Sequence, residues 1–292
     1  MPSLKEVKSR IGSVVSTQQI TKAMKMVAAA KLRKSQERII QMRPFAQKMK
    51  SILQNLSAAG TDGDAWYSKE RVVNKVLIVV ISSDRGLCGS FNSTVIKATA
   101  RMVQENYSSQ AERNNVTILP IGKKAFEFFT KRNYQVIPDF WDLFHGLNFN
   151  RVAETAQYMM DTFRKGDYDK IEVVYNQFKN VATQILIIEQ FLPVQPQATG
   201  KKAADTNYIF QPNQEEILTG LIPKSLKVQL FKAVLDSNAS ENGARMTAMD
   251  KATENAGELL KDLRLMYNRT RQAAITKEIL EIVGGAEALK TG

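Results

Sequence analysis

Sixteen positions, stepped by alternating threes and fours from Leu4, constrain this chain more than anything else in it. They are Leu4, Val7, Ile11, Val14, Gln18, Thr21, Lys25, Ala28, Leu32, Ser35, Ile39, Met42, Ala46, Met49, Leu53 and Leu56, and twelve are apolar. A narrow stripe of period 3.5 is the seam of a coiled coil, not the broad face of a globular helix. Ile20, Met24 and Val27 flank the polar lapse from Gln18 to Lys25, so the stripe is expected to shift there as at a stutter. Pro44 lacks one intrahelical donor and should bend the helix slightly. A helix over residues 4–56 would be about 80 Å long at 1.5 Å per residue, too long for a compact domain.

The far end repeats the pattern. Met249, Ala252, Ala256, Leu259, Leu263, Met266, Thr270, Ala273, Lys277 and Leu280 form a second seam, eight apolar in ten. Val228, Phe231 and Leu235 extend it backwards, with Asn238, Asn242 and Arg245 as polar interruptions. Pro223 suits a position near the start of this helix, and Gly284-Gly285 weakens its end. The simplest partner for each seam is the other, the chain returning antiparallel after an intervening domain. Two separate homodimeric coiled coils remain the alternative on pattern alone. Ile275, Ile279, Leu280, Ile282, Val283, Ala286 and Leu289 are apolar on more than one face, and such a tip needs a surrounding partner to stay soluble.

Between the seams, strands alternate with helices. Residues 76–82 and 116–121 read as strands, with helices from about Asn92, over 123–131 and near 151–164, and neighbouring strands at 171–175 and 184–191. The expected fold class is therefore α/β plus a long antiparallel α-helical coiled coil formed by the N- and C-terminal helices. The division is a coiled-coil helix over 1–58, an α/β domain over 73–193, a flexible connector over 194–212 holding Lys201-Lys202, and the second coiled-coil helix over 213–292. Residues 60–64 form a shorter polar connector.

Charge sharpens the picture. The net charge is +12, and residues 1–57 hold twelve basic side chains against Glu6 and Glu37, a surplus of ten. Nucleic acid, anionic lipid or an acidic protein could each answer such a helix. Its basic residues lack interleaved aromatics and no nucleic-acid module appears, which weakens the first. No apolar run reaches 18 residues, so no membrane span is expected. The amphipathic pattern begins at Leu4, leaving no room for a signal or transit segment, and a cytoplasm-like compartment is expected.

No catalytic constellation assembles. The turn Asp84-Arg85-Gly86-Leu87-Cys88-Gly89-Ser90 joins strand to helix where phosphate loops occur, yet it lacks the Lys-Ser/Thr of a Walker loop and the third glycine of a dinucleotide fingerprint. A tight turn or docking surface is the better reading. Cys88, the single cysteine, has no histidine base beside it in sequence and reads as a structural thiol. His145 is the sole histidine and cannot build a metal site alone. Asp167 and Asp169 read as solvated turn residues. No metal and no cofactor are expected.

Three stretches carry a family resemblance: residues 19–34 (QITKAMKMVAAAKLRK), residues 83–92 (SDRGLCGSFN), and residues 241–249 (ENGARMTAM) continuing to 267–289 (YNRTRQAAITKEILEIVGGAEAL). In order and spacing they resemble the γ subunits of F-type ATP synthases. The resemblance implies a non-catalytic central rotor shaft that couples rotation of a membrane ring, driven by proton (or sodium) flow, to the conformational cycle of the catalytic β subunits. It implies three α and three β subunits around the shaft, and an ε subunit and the c-ring at the foot. Neither nucleic-acid binding nor direct membrane insertion is implied, and the location would be peripheral, at the cytoplasmic face of a bacterial plasma membrane. By position, Met24, Lys25, Arg245, Gln272 and Thr276 would face β-subunit loops, and Ile279, Leu280, Ile282, Val283 and Leu289 would form a bearing tip. Asp84, Arg85, Gly86, Cys88 and Gly89 would form the foot-domain turn. Charge reversal at Arg245 is expected to lower coupling while leaving the isolated shaft folded. Plastid relatives carry a cysteine pair in an insertion that this chain lacks.

Overall fold

A computed structural model describes residues 3–58, 66–68, 71–194 and 214–291. The connectors at 60–64 and 194–212, Lys201-Lys202 among them, fall almost wholly outside those residues. The side chains of Leu53, Leu56 and Leu289 are likewise outside the described set. Contacts within the chain divide it into two units, residues 1–28 with 246–292, and residues 29–245.

In order along the chain, the elements are α1 (Leu4–Ala58), β1 (Val76–Ile81), α2 (Phe91–Asn106), α3 (Ser108–Glu112), β2 (Val116–Ile121), α4 (Lys123–Lys131), β3 (Gln135–Val136), α5 (Phe149–Lys165), β4 (Lys170–Phe178), β5 (Gln184–Leu192) and α6 (Gln214–Thr291). Pro44 sits inside α1, and Pro223 sits inside α6 and not at its start, because the helix begins at Gln214. Gly284-Gly285 does not end α6.

The unit of residues 29–245 is built on a five-stranded sheet of order β3-β2-β1-β4-β5. β1, β2, β3 and β4 run parallel, and β5 closes the edge antiparallel to β4. Every side chain of β1 is buried, as expected of a central parallel strand covered on both faces. Leu77, Val79 and Ile81 join the cluster that contains Met159 and Phe163 of α5 and Leu230 and Val234 of α6. Val76, Ile78 and Val80 join the opposite cluster, with Val95 and Val103 of α2 and Phe129 of α4. α6 is buried almost all round between Leu226 and Gly243. Two of its polar residues there are tied to neighbouring elements: Ser240 Oγ donates to the Asn176 carbonyl at 3.0 Å, and Ser35 Oγ of α1 donates to Asn238 Oδ1 at 2.6 Å. Asp169 differs from the solvated residue expected. Its carboxylate accepts the Asn74 and Lys75 amides, both at 2.9 Å, and fastens the entry to β1.

In the other unit, α1 and α6 run antiparallel, Lys25 meeting Asp250 and Gln18 lying near Gly257. The expected stutter is absent. Thr21 is buried in register, Gln18 and Lys25 are half-buried, while Ile20 and Val27 face out, 59% and 56% exposed. The reason is that the polar residues are satisfied across the seam. Gln18 Nε2 donates to the Thr253 carbonyl at 3.4 Å, Thr253 Oγ1 donates to Thr21 Oγ1 at 2.8 Å, and Lys25 Nζ pairs with Asp250. The seam of α6 also differs by one flank. Met249, Ala256 and Leu263 are buried as expected, but Leu260 takes the place given to Leu259, which is exposed, and Met266 is exposed beside a half-buried Tyr267.

Candidate functional site

The turn after β1 begins where the strand delivers two buried serines. Ser82 Oγ accepts the Ala125 amide at 2.9 Å and Ser83 Oγ donates to the Arg85 carbonyl at 2.6 Å. Asp84 caps α4 from outside the helix, its Oδ1 accepting the Lys123 amide at 3.1 Å. Its other oxygen lies 3.7 Å from Nε2 of the exposed His145, a surface contact. Leu87 adopts φ 63° and Gly89 φ 59°. A leucine in the left-handed region is uncommon and is held by its surroundings.

Those surroundings are specific. Asn92 Oδ1 accepts the Ser83 amide at 2.9 Å while its Nδ2 donates to Cys88 Sγ at 3.2 Å. Arg245 of α6 donates from Nη2 to the carbonyls of Arg85 and Gly86, each at 3.1 Å, and from Nη1 to Glu241, one turn earlier on the same helix. Both side chains of that ion pair are only 13% exposed. Burial pushes the Glu241 carboxyl above the usual carboxylate range, and Arg245 pulls it back part of the way. Burial likewise pushes the Cys88 thiol up, against a lowering hydrogen bond from Ser83 and the charge of Arg245. A nucleophilic cysteine needs the opposite shift. An anion cradle needs converging N–H groups, whereas here two consecutive carbonyls converge on a guanidinium. The turn presents Leu87 outward, 66% exposed, with the exposed Arg85 beside it.

The structure thus brings Asp84, Arg85, Gly86, Cys88 and Gly89 together with Arg245. It ties Arg245 into its own chain, so charge reversal there would set a carboxylate against Glu241 and two carbonyls, and the turn would not stay as it is. In the unit of residues 1–28 and 246–292, Lys25 is half-buried against Asp250 and does not simply point outward, and Met24 is half-buried. Gln272 and Thr276 are exposed, Thr276 Oγ1 donating to the Gln272 carbonyl at 2.9 Å within the helix. Ile279, Leu280, Ile282 and Val283 are exposed, Ile282 at 71%. Sequence reasoning passed over Asp250 and Thr253 and, while it placed Leu87, Asn92 and Glu241 within motifs, gave none of them a role of its own. The Glu241/Arg245 spacing of four on a helix was the one available signal.

A sequence profile described as ATP synthase matches residues 3–289. An ATP synthase gamma chain of Cytophaga hutchinsonii is 56% identical over 293 residues, covering 99% of both chains. One from Flavobacterium psychrophilum is 54% identical over 292 residues, covering 99% of this chain and 100% of the other. Among solved structures, a chain of the central stalk and c-ring of the Tetrahymena thermophila mitochondrial ATP synthase superposes with a TM-score of 0.57 at 27% identity, covering 80% of this chain and 99% of that one. A chain of the Euglena gracilis mitochondrial ATP synthase rotor reaches 0.64 at 23% identity, covering 93% and 98%, and shares the fold.

Proposed function

The chain belongs to the ATP synthase γ-chain family, and from that premise we propose that it is the non-catalytic central shaft of a rotary, proton-translocating ATP synthase. It couples rotation of a membrane ring to the conformational cycle of catalytic β subunits. Physically, a shaft acts as a ligand with different contacts to each β conformation, and so biases their equilibrium. Three α and three β subunits surround it, and ε and the c-ring meet its sheet-bearing part. Its place is peripheral, on the cytoplasmic face of a bacterial plasma membrane. The bacterial relatives support this, as does the finding that no described helix is long and apolar enough to cross a membrane.

The observation that carries the reading is the exposed, apolar end of α6. Ile275, Ile279, Leu280, Ile282 and Val283 are exposed on a helix that continues past Ala274, a half-buried residue one position beyond the exposed Ala273 of the expected seam. A bearing of apolar α- and β-subunit surface answers that tip. Met24, Lys25, Gln272 and Thr276 face β-subunit loops, Arg245 acts there through the Arg85–Leu87 turn that it holds, and the basic surplus of α1 complements acidic segments there.

Co-purification through a tag placed in the sheet-bearing unit tests this. Recovery of α and β subunits at three copies each per copy of this chain is expected, with ATPase activity that falls when residues 275–292 are removed. A chain recovered alone with bound nucleotide, or with nucleic acid, would refute it.

A further inference from the structure

The β1–α2 turn is held from α6 by a fork whose aim depends on one carboxylate. Arg245 offers Nη2 to the carbonyls of Arg85 and Gly86 and Nη1 to Glu241. An arginine side chain has several rotatable bonds, and two neutral carbonyls on a surface turn do not by themselves fix its direction. Glu241 does, because a charge-assisted bond in a site this buried is the strongest partner Arg245 has. We propose that Glu241 is a positioning residue whose carboxylate aims Arg245 at the Arg85 and Gly86 carbonyls and thereby latches the β1–α2 turn to α6.

A second tether runs beside the first. Ser240 Oγ donates to the Asn176 carbonyl, and Asn176 Nδ2 donates to the Phe91 carbonyl at the start of α2, at 3.2 Å. One stretch of α6 therefore grips both ends of the turn: the start of α2 through β4, and the Arg85-Gly86 peptide through the fork. The groups around Glu241 are Arg245 on its own helix, Asp84 and Cys88 of the turn, and Lys31 of α1. With the latch closed, Leu87 is kept in its left-handed conformation and Arg85 and Leu87 are presented as a rigid knob. With Arg245 released, the turn relaxes and uncovers Cys88. The latch stands on contacts within this chain, so its failure would leave the rotor reading untouched.

Cys88 is the chain's one cysteine, which makes it a reporter. The full-length chain is alkylated with N-ethylmaleimide at pH 8, and the rate is divided by that of the urea-unfolded chain to give the opening equilibrium. Tryptic cleavage after Arg85 gives a second, independent rate. Glu241→Gln, which keeps the shape and removes the charge, is expected to raise both about tenfold. Arg245→Lys, which keeps the charge and removes the fork, is expected to do the same and carries the test should Glu241→Gln not fold. Glu241→Asp, which restores the charge, is expected to return both rates to within about threefold of the parent. Parental rates in Glu241→Gln and Arg245→Lys would overturn the proposal. So would rates in Glu241→Asp equal to those of Glu241→Gln, since packing and not the carboxylate would then hold the turn.

Discussion

Gly122 ends β2 and starts α4 with φ 103°, and its amide donates to the Trp141 carbonyl at 2.8 Å. A methyl group there would sit 2.3 Å from the Ser82 carbonyl oxygen and 2.7 Å from both its carbonyl carbon and Oγ. Ser82 cannot retreat, because its amide is bonded to the Ile121 carbonyl at 2.7 Å and its hydroxyl receives the Ala125 amide. Gly122→Ala therefore carries a backbone strain of about 1–3 kcal/mol and an overpacking cost of about 1–3 kcal/mol. The midpoint of that sum, ~4 kcal/mol, is a large part of the ~5–15 kcal/mol that a folded unit has in all. The chain's two tryptophans, Trp66 and Trp141, both lie in the unit of residues 29–245, so selectively excited tryptophan fluorescence during urea unfolding reports that unit, whereas Tyr267 lies in the other. At a slope of ~2–3 kcal/mol per molar, the midpoint should fall by about 1.3–2 M. Gly86→Ala is the control: nothing lies within 4 Å of its added methyl, and its midpoint should stay within about 0.5 M of the parent. A Gly122→Ala midpoint equal to that of Gly86→Ala would show that the contact with Ser82 is not the constraint argued here.

Other expectations are checked as simply. Gln272→Ala with Thr276→Ala removes exposed groups whose bond, Thr276 Oγ1 to the Gln272 carbonyl, is local, so the chain's own unfolding should shift by less than about 0.5 kcal/mol while turnover of the assembled ATPase falls; unchanged turnover would remove both residues from the interface. Lys170 sits between Tyr107 and Glu172, Nζ 2.9 Å from Glu172 Oε1. Burial works against its charge, but the bonds to Tyr107 and Glu172 outweigh that and raise its pKa, while burial raises that of Tyr107. Groups that lose protons more readily in the unfolded chain contribute stability that is complete below their unfolded values, here 10.0 and 10.5, and that drains away as pH rises through the higher folded ones. The sheet-bearing unit should therefore weaken above about pH 10, and Tyr107→Phe with Lys170→Met should flatten part of that slope in fluorescence-monitored unfolding; an equally steep slope in the double variant would refute the assignment. Ile279→Ser with Ile282→Ser should leave helical circular dichroism unchanged, raise the solubility of the isolated chain and weaken its recovery with α and β subunits; recovery equal to the parent's would deny the tip its bearing role.

The helices and strands were legible wherever the pattern was long. The strand at 116–121 and the helix at 123–131 have the observed bounds, and the first seam holds position by position from Val7 to Met49 wherever its side chains are described. What the pattern could not carry was chemistry across a seam. Gln18, Thr21 and Lys25 look like a defect when hydropathy is counted alone, and only the presence of Thr253 and Asp250 opposite explains why the register need not shift. Leu259 and Leu260 are adjacent and identical, so no periodicity chooses between the two flanks of one heptad. β3, two residues long, lies below what alternation can reveal. In the turn, the sequence motif named most of the residues that gather, but the spacing of four between Glu241 and Arg245 could only hint at an ion pair, and its burial against the turn comes from elements more than a hundred residues away.

The hydrogen-bonded stretch of the seam has a mechanical consequence. Alanine and leucine seams are nearly indifferent to a slide of one repeat, since each apolar side chain finds another like it. A slide of seven residues is about 10 Å along the axis. Here it would carry Thr21 and Gln18 away from Thr253, and Lys25 away from Asp250, costing about 0.5–1.5 kcal/mol for each hydrogen bond lost across the seam, while Thr253 and Thr21 keep only the bonds to the Met249 and Gln18 carbonyls of their own helices. The same pairs that add little to stability at rest, Lys25 and Asp250 being half in water, thus act as a spline: they set an energy step against axial creep and against unwinding of one strand about the other. For any body that must deliver torque along a pair of helices, resistance to slip at one depth lets twist build up on either side of it, rather than leak away as sliding.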